Sequence, residues 1–295
     1  MTRGGLSPAR WLPALLVAPA LALCVVFFLV PLLETVMLSF HPFDSMKGIG
    51  DAYTLENYSR IIFDSFYLRI FARTVAIASV VTVLAASIGV PEAIILHRLP
   101  APWNSVSLVV VLGPLLISVV VRTFGWAVLL GNKGILNDLL LRLGLIAEPL
   151  QIMYTETAIV IGMVHVLVPF MVIAVWTSLH RQNRETLLAA LSLGANAFTV
   201  FRRILLPQIM PGILSGSLIV FSLAASSFAT PAILGSKRVR VVATVAYEQF
   251  LNTLNWPFGA AVTVLLLLLS LALLGLYARL FEGRYRRYSG AGVGP

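Results

Sequence analysis

Charged residues are scarce in this chain. Asp, Glu, Lys and Arg together make up 11% of its 295 residues, whereas hydrophobic residues make up 59%, and the mean hydropathy is +0.95. An average soluble domain has about a quarter of its residues charged. This composition excludes a water-soluble globular fold and indicates a protein that is embedded in a membrane.

Two further absences narrow the function. The chain has a single cysteine, Cys24, which excludes a disulfide framework and a cysteine-rich metal site. It lacks the G-x-x-x-x-G-K-[ST] phosphate loop, so it cannot hydrolyse ATP by that route. An intramembrane serine protease would need a serine activated by a histidine. His165 and Ser215 are candidates, but Gly212-Ile-Leu-Ser215-Gly has the wrong spacing for that class. We therefore expect a chain that is not an enzyme and holds no metal.

Apolar runs without charge are the main positive feature. A helix needs about 20 mostly apolar residues to cross the hydrocarbon core of a bilayer. The sequence predicts an all-α integral membrane protein with six spans, near 11–36, 71–94, 104–129, 157–179, 209–234 and 257–280. The first run is too long for the apolar part of a signal peptide, which is about 7–15 residues. It is therefore predicted to be a transmembrane helix.

The basic residues bear on topology. The formal net charge is +9, but the positive residues flank the spans instead of forming one patch, which favours membrane topology over nucleic-acid binding. Short loops rich in Arg face the cytoplasm in most membrane proteins. Arg181, Arg184, Arg202 and Arg203 share one connection. With an even number of spans, we predict that both termini are cytoplasmic.

The connection between the fourth and fifth predicted spans is the most informative segment. Asn183 is expected to cap a first short helix, which Gly194 would end in the left-handed conformation. Asn196 is expected to cap a second helix, and Pro207 would end or kink it before the fifth span. Small and apolar residues dominate the surface of this segment. Such a surface indicates a protein partner that covers it.

This segment, 181–208, resembles the EAA loop of type I ABC importer permeases. The family pattern is Glu-Ala-Ala, three residues, Gly, nine residues, Ile, one residue, Leu-Pro. The matching positions are Ala189, Ala190, Gly194, Ile204, Leu206 and Pro207. Leu188 stands where the family has Glu. Glu185 lies about one helical turn earlier on the same face, and we interpret it as the substitute for the missing carboxylate.

The resemblance extends over nearly the whole chain. Residues 54–61, 121–137 and 253–261 are similar to the spermidine/putrescine-type branch of these permeases. This implies an inner-membrane, multi-pass permease, in contact with lipid, that translocates a polyamine by alternating access. It implies three protein partners: an ABC ATPase dimer, a second homologous permease and a periplasmic solute-binding protein. ATP and Mg²⁺ would bind to the ATPase, and this chain would hold no cofactor.

The resemblance also implies a division of the chain. The first transmembrane helix and first periplasmic loop would occupy 1–69, the type-1 permease domain 70–281, and a cytoplasmic tail 282–295. Two alternatives stay open. The cargo of the importer could be ferric iron or a phosphonate, or the chain could be a stand-alone secondary transporter driven by an ion gradient.

Candidate pathway residues lie at the ends and in the middle of spans. Carboxylates are natural partners for ammonium groups, so three glutamates form either an acidic vestibule or solvated helix flanks: Glu34, Glu156 and Glu248. The Trp126 ring would hold a cation or lie at the interface. Arg122 would snorkel towards the membrane surface or lie on the pathway.

The middle of the membrane contributes hydroxyl and imidazole groups. Ser226, Ser227 and Thr230 precede Pro231, where hydroxyls could either satisfy carbonyls freed at a bend or line the pathway. His165 lies in the middle of the fourth predicted span. It would be neutral and bonded to a neighbouring helix, or it would face the pathway.

Overall fold

A computed structural model describes residues 12–181 and 184–288. The chain divides into two compact units, one formed by the chain up to Asp64 with Ala246–Leu265 and the other by Ser65–Val245 with the chain from Leu266. The helices are α1 Leu12–Cys24, α2 Val30–Leu38, α3 Glu56–Phe63, α4 Ser65–Arg98, α5 Trp103–Leu116, α6 Val119–Leu130, α7 Ile135–Arg142, α8 Glu156–His180, α9 Arg184–Ser192, α10 Ala197–Val200, α11 Leu206–Ala225, α12 Val242–Leu251 and α13 Trp256–Tyr288. π-Helical turns occupy Val25–Leu29, Phe201–Leu205 and Pro231–Gly235.

The prediction of a six-span helical membrane protein is confirmed. Six segments in the described part of the chain are long and apolar enough to cross a membrane: Val17–Leu38, Ser65–Arg98, Val119–Arg142, Glu156–His180, Ala197–Ala225 and Trp256–Arg279. A two-stranded antiparallel hairpin, β1 Phe43–Asp44 with β2 Gly48–Ile49, follows the first span. The amide of Asn57 ties the same region together by donating to the carbonyls of Ser39 and His41.

The third predicted span, 104–129, is wrong as a single helix. The chain is extended at Ile117 (φ −91°, ψ 138°) and Ser118 (φ −50°, ψ 131°), which separates α5 from α6. Pro114 lies in the last turn of α5 and has no N–H to donate to the helix. The apolar run is continuous in sequence, so periodicity alone did not indicate this break.

The fifth predicted span, 209–234, is also interrupted. α11 ends at Ala225, and the helix resumes only at Ala229 before the π-helical turn. Pro231 cannot donate an N–H, and its ring would clash with the carbonyl of Ser227 in a regular helix. The Ser226 hydroxyl donates to the carbonyl of Ser222 at 2.8 Å. The interruption therefore lies where proline excludes a regular turn.

The core of the larger unit lies where α4, α8 and α11 pack closely. Gly212 and Gly216 of α11 form a G-x-x-x-G pair against α8, the pattern that lets membrane helices approach closely. A Cβ on Gly212 would lie 2.7 Å from the Ala174 carbonyl oxygen, and one on Gly216 would lie 2.7 Å from the Met171 sulfur. On the other side of Met171, a Cβ on Gly89 of α4 would lie 3.0 Å from its side chain. Small residues therefore set the spacing of all three helices.

The connection before α8 contains the short helix α7. α7 ends just before Gly144, which is left-handed (φ +66°). Asn137 lies inside α7, where its buried amide donates to the carbonyls of Gly131 and Leu150 and accepts from the Leu150 N–H. These three hydrogen bonds join the segments before and after α7. The Asn137 side chain makes all of them from a buried position.

Candidate coupling segment and membrane cavity

The candidate coupling segment, residues 184–200, has the two-helix form that the sequence predicts. Gly194 follows α9 with φ +83°, the left-handed conformation that glycine adopts without steric cost. The Asn196 side chain accepts a hydrogen bond from the Thr199 N–H at 2.8 Å, so Asn196 caps α10. Asn183, the predicted cap of α9, lies outside the described residues.

Pro207 does not end the second helix of this segment. The chain stays helical from Ala197 to Ala225, and the irregularity is a π-helical turn before Pro207, in which the Leu206 N–H bonds to the Phe201 carbonyl. Pro207 is the second residue of α11 and directly follows this π-helical turn. One helix therefore joins the coupling segment to the interruption at Ser226.

The surface of the coupling segment is apolar and exposed. The Leu193 and Phe198 side chains are 89% and 68% exposed. Of the alanines that match the family pattern, Ala189 is exposed and Ala190 is half-buried, and Glu185 is exposed as well. Leu188 lies within α9, but its side chain is outside the described residues. Large exposed apolar groups are typical of a surface that contacts a protein partner or a membrane.

The structure brings together candidates that the sequence places 39 residues apart. The Trp126 indole N–H donates to Nδ1 of His165 at 3.1 Å, with the ring centroids 5.5 Å apart. An indole nitrogen only donates, so Nδ1 is the acceptor and the imidazole is neutral with its proton on Nε2. The prediction that His165 bonds to a neighbouring helix is confirmed.

The two interrupted spans meet beside this pair. The hydroxyls of Thr123 in α6 and Thr230 are 3.4 Å apart, and both residues are buried. Ser227 is half-buried and Ser226 is exposed. Of the predicted hydroxyl cluster, only Thr230 makes a bond to the other interrupted span. Whether these hydroxyls line a pathway stays a prediction.

Arg122 does not snorkel towards the membrane surface. Its side chain is 8% exposed, and its guanidinium donates to the carbonyl of Pro114 across the gap between α5 and α6. Its Nε has no hydrogen-bond partner among the described residues. The helix break supplies a carbonyl that a continuous helix would not offer, and this holds the guanidinium inside.

The three candidate vestibule glutamates differ in their surroundings. Glu156 begins α8 and forms an ion pair with Arg73 of α4 at 2.8 Å, so its charge is already compensated within the chain. Glu34 in α2 is exposed, and Glu248 in α12 is half-buried. Glu34 and Glu248 belong to the smaller unit and Glu156 to the larger one. The acidic vestibule stays a prediction.

A further carboxylate, which was not among the predicted site residues, lines a cavity beside α4. Glu92 of α4 is half-buried, and its carboxylate has no hydrogen-bond or ion-pair partner within 12–181 and 184–288. It lines a cavity of 610 Å³ together with Ile88, Pro114, Trp126 and His165. A signal was present: Glu92 directly follows the charge-free run that ends at Pro91 and lies inside the second predicted span, 71–94.

The comparisons decide the family. The chain matches the model of the binding-protein-dependent transport system inner membrane component over residues 6–287. The chain belongs to this family. It is therefore the inner-membrane, multi-pass permease of an ABC transporter, a transport component and not an enzyme.

Two relatives are spermidine/putrescine transport system permease proteins PotB. Those of Haemophilus influenzae and Escherichia coli are each 33% identical over 255 residues, which cover 86% of this chain and 89% or 92% of the relative. The fold matches a bacterial ABC transporter that imports the acidic polysaccharide alginate, with a TM-score of 0.77 at 16% identity. The match covers 95% of this permease and 96% of that chain.

Proposed function

We propose that the permease imports a polyamine, such as spermidine or putrescine, across the inner membrane by alternating access. The observation that carries the proposal is the 33% identity to two spermidine/putrescine permeases over 86% of the chain. Local sequence similarity at 54–61, 121–137 and 253–261 supports the same branch. The identity extends over 89% and 92% of the two relatives' own lengths, so it concerns whole permeases and not one shared segment.

The proposed partners are an ABC ATPase dimer, a second homologous permease and a periplasmic solute-binding protein. ATP and Mg²⁺ bind to the ATPase, and this chain carries no cofactor. The ATPase covers the coupling segment, whose exposed Leu193 and Phe198 offer it an apolar surface. Both termini and the coupling segment are then cytoplasmic.

The continuous helix from Ala197 to Ala225 supports a mechanical link. A packed helix moves as a rigid element, and motions of such elements are typical of domain-scale switching. A displacement of α10 by the ATPase is carried along α11 to the interruption at Ser226 and Thr230, where the regular helix already ends. The proposed gate of alternating access therefore lies at the two interrupted spans.

The test is transport by the complete system. The permease, its genomic partner permease, the ATPase and the binding protein are reconstituted in liposomes with ATP inside and labelled spermidine or putrescine outside. We expect uptake that requires ATP and the binding protein. Uptake of another solute but no polyamine overturns the cargo, whereas uptake by the permease alone along an ion gradient overturns the ABC mechanism.

Glu185 is proposed to replace the motif glutamate that Leu188 lacks. It lies in the first turn of α9 on the exposed surface, where a positively charged group of the ATPase can reach it. Glu185→Ala should reduce cargo-stimulated ATP hydrolysis of the complex, because a charge-assisted contact is lost. Glu148→Ala, which removes another exposed carboxylate between α7 and α8, serves as the control. Unchanged stimulation in Glu185→Ala would refute this role.

A further inference from the structure

The groove along α4 and α5 contains one carboxylate in a mostly apolar lining, which also includes His165 and Ser107. Two adjoining cavities, of 610 and 620 Å³, share Ile88, Glu92, Val110 and Val111. The first reaches Trp126 and His165, and the second reaches Trp103 and Leu99 towards the end of α4. Among the described residues, Glu92 is the only acidic one that lines either cavity.

A carboxylate in this position needs a compensating partner. Ionisable residues inside transmembrane segments almost always face a water-filled path or pair with another charge. Glu92 pairs with nothing in the described part of the chain, unlike Glu156, which has Arg73. A cation that comes from outside the chain would compensate an ionised carboxylate there.

The neighbouring groups suit an organic ammonium. Trp126 and Trp103 present indole rings to the two cavities, and ring faces attract cations. His165 is neutral while it accepts the Trp126 N–H, so it does not repel a cation. The Arg122 charge is turned to the Pro114 carbonyl at the α5–α6 break, which favours a cation held nearer to Glu92 than to Pro114.

We propose that Glu92 binds an ammonium group of the cargo during its passage, with the indole rings of Trp126 and Trp103 on either side. Along α4 the two cavities extend from Leu84 to Leu99, which is about 22 Å at 1.5 Å per residue. One ammonium group of an elongated polycation would then bind the carboxylate, and its other ammonium groups would lie near the aromatic rings. This inference rests on the proposed polyamine cargo.

The test uses the complete transporter in liposomes and the variant Glu92→Gln, which keeps the shape of the side chain and removes its charge. A hydrogen bond to a charged group is strong enough that its loss should lower the rate of spermidine uptake about tenfold to a hundredfold. Glu92→Asp should retain more uptake than Glu92→Gln, because it keeps the charge. Glu148→Gln is the control with unchanged uptake.

The outcomes separate this inference from the proposed function. If the wild-type system imports no polyamine, the proposed cargo and this site both fail. If the wild type imports spermidine and Glu92→Gln imports it equally well, Glu92 faces lipid and only the site is overturned. If Glu92→Gln instead releases the second permease on size-exclusion chromatography, Glu92 is an interface residue, and the site is again overturned.

Discussion

Two glycines of this permease are required for opposite reasons. Gly212, in α11, has an ordinary helical backbone, but a Cβ there would lie 2.6 Å from the Ser178 Cβ and 2.7 Å from the Ala174 carbonyl oxygen. Gly194, in the coupling segment, has open space around it but φ +83°. One glycine allows two helices to touch, and the other allows the chain to turn.

The difference separates a region built for rigidity from a region built for contact. Around Gly212, the helices are so close that there is no room for a side chain between them. Around Gly194, the apolar side chains of Leu193 and Phe198 lie on the surface. A displacement at the exposed contact surface can be transmitted through the closely packed helices. Variants at Gly212 probe the packing, and variants in the coupling segment probe the contact surface.

The largest effect is expected for Gly212→Val. The added branches would overlap the backbone of α8, which no change of rotamer relieves, and overpacking of this kind costs about 1–3 kcal/mol or more. The apparent Tm of the purified permease complex should fall by several degrees. Gly275→Val is the matched control, because a Cβ at Gly275 in α13 meets nothing within 4 Å. Equal losses in the two variants would contradict the close-packing explanation.

The second largest effect is expected for Phe198→Ala, on binding of the ATPase and not on folding of the permease. Phe198→Ala removes an aromatic group that is 68% exposed, so the stability of the permease should hardly change. Aromatic anchors in interfaces contribute about 2 kcal/mol or more, which is roughly 30-fold in affinity. Titration of purified ATPase onto the permease pair measures this loss. Phe124→Ala, at an exposed position on α6, is the control, and an equal loss there would contradict the assignment.

How much of this could be predicted from sequence depends on what each residue requires. The spans follow from hydrophobic length, and Gly194 and Asn196 follow from local backbone chemistry, so these predictions were confirmed. The break at Ile117 and Ser118 lies inside an unbroken apolar run, and it depends on what Pro114 and Arg122 contact in three dimensions. Glu92 was missed because its significance lies in the groove it lines, and the chain brings α5, α6 and α8 to that groove only by folding.

A smaller effect is expected for Gly194→Ala. A left-handed backbone costs a residue with a Cβ about 1–2 kcal/mol, and here no steric clash adds to it. The α9–α10 angle should loosen, so cargo-stimulated ATP hydrolysis should fall while the apparent Tm stays close to the wild-type value. Gly194→Asn should be milder than Gly194→Ala, because Asn tolerates this conformation better. The reverse order would show that the backbone conformation is not what matters at this position.

The smallest effect is expected for Asn196→Ala. The side chain satisfies one N–H at the start of α10, that of Thr199, and the loss of such a cap costs about 1 kcal/mol. The first turn of α10 should fray, which hydrogen exchange of the Thr199 amide would detect as faster exchange, whereas amides around Gly212 should be unaffected. Asn196→Asp should restore protection, because aspartate caps as well as asparagine. If Asn196→Ala instead speeds exchange equally in α11, the coupling segment and the packed helices unfold together, and the two regions compared here are one cooperative unit.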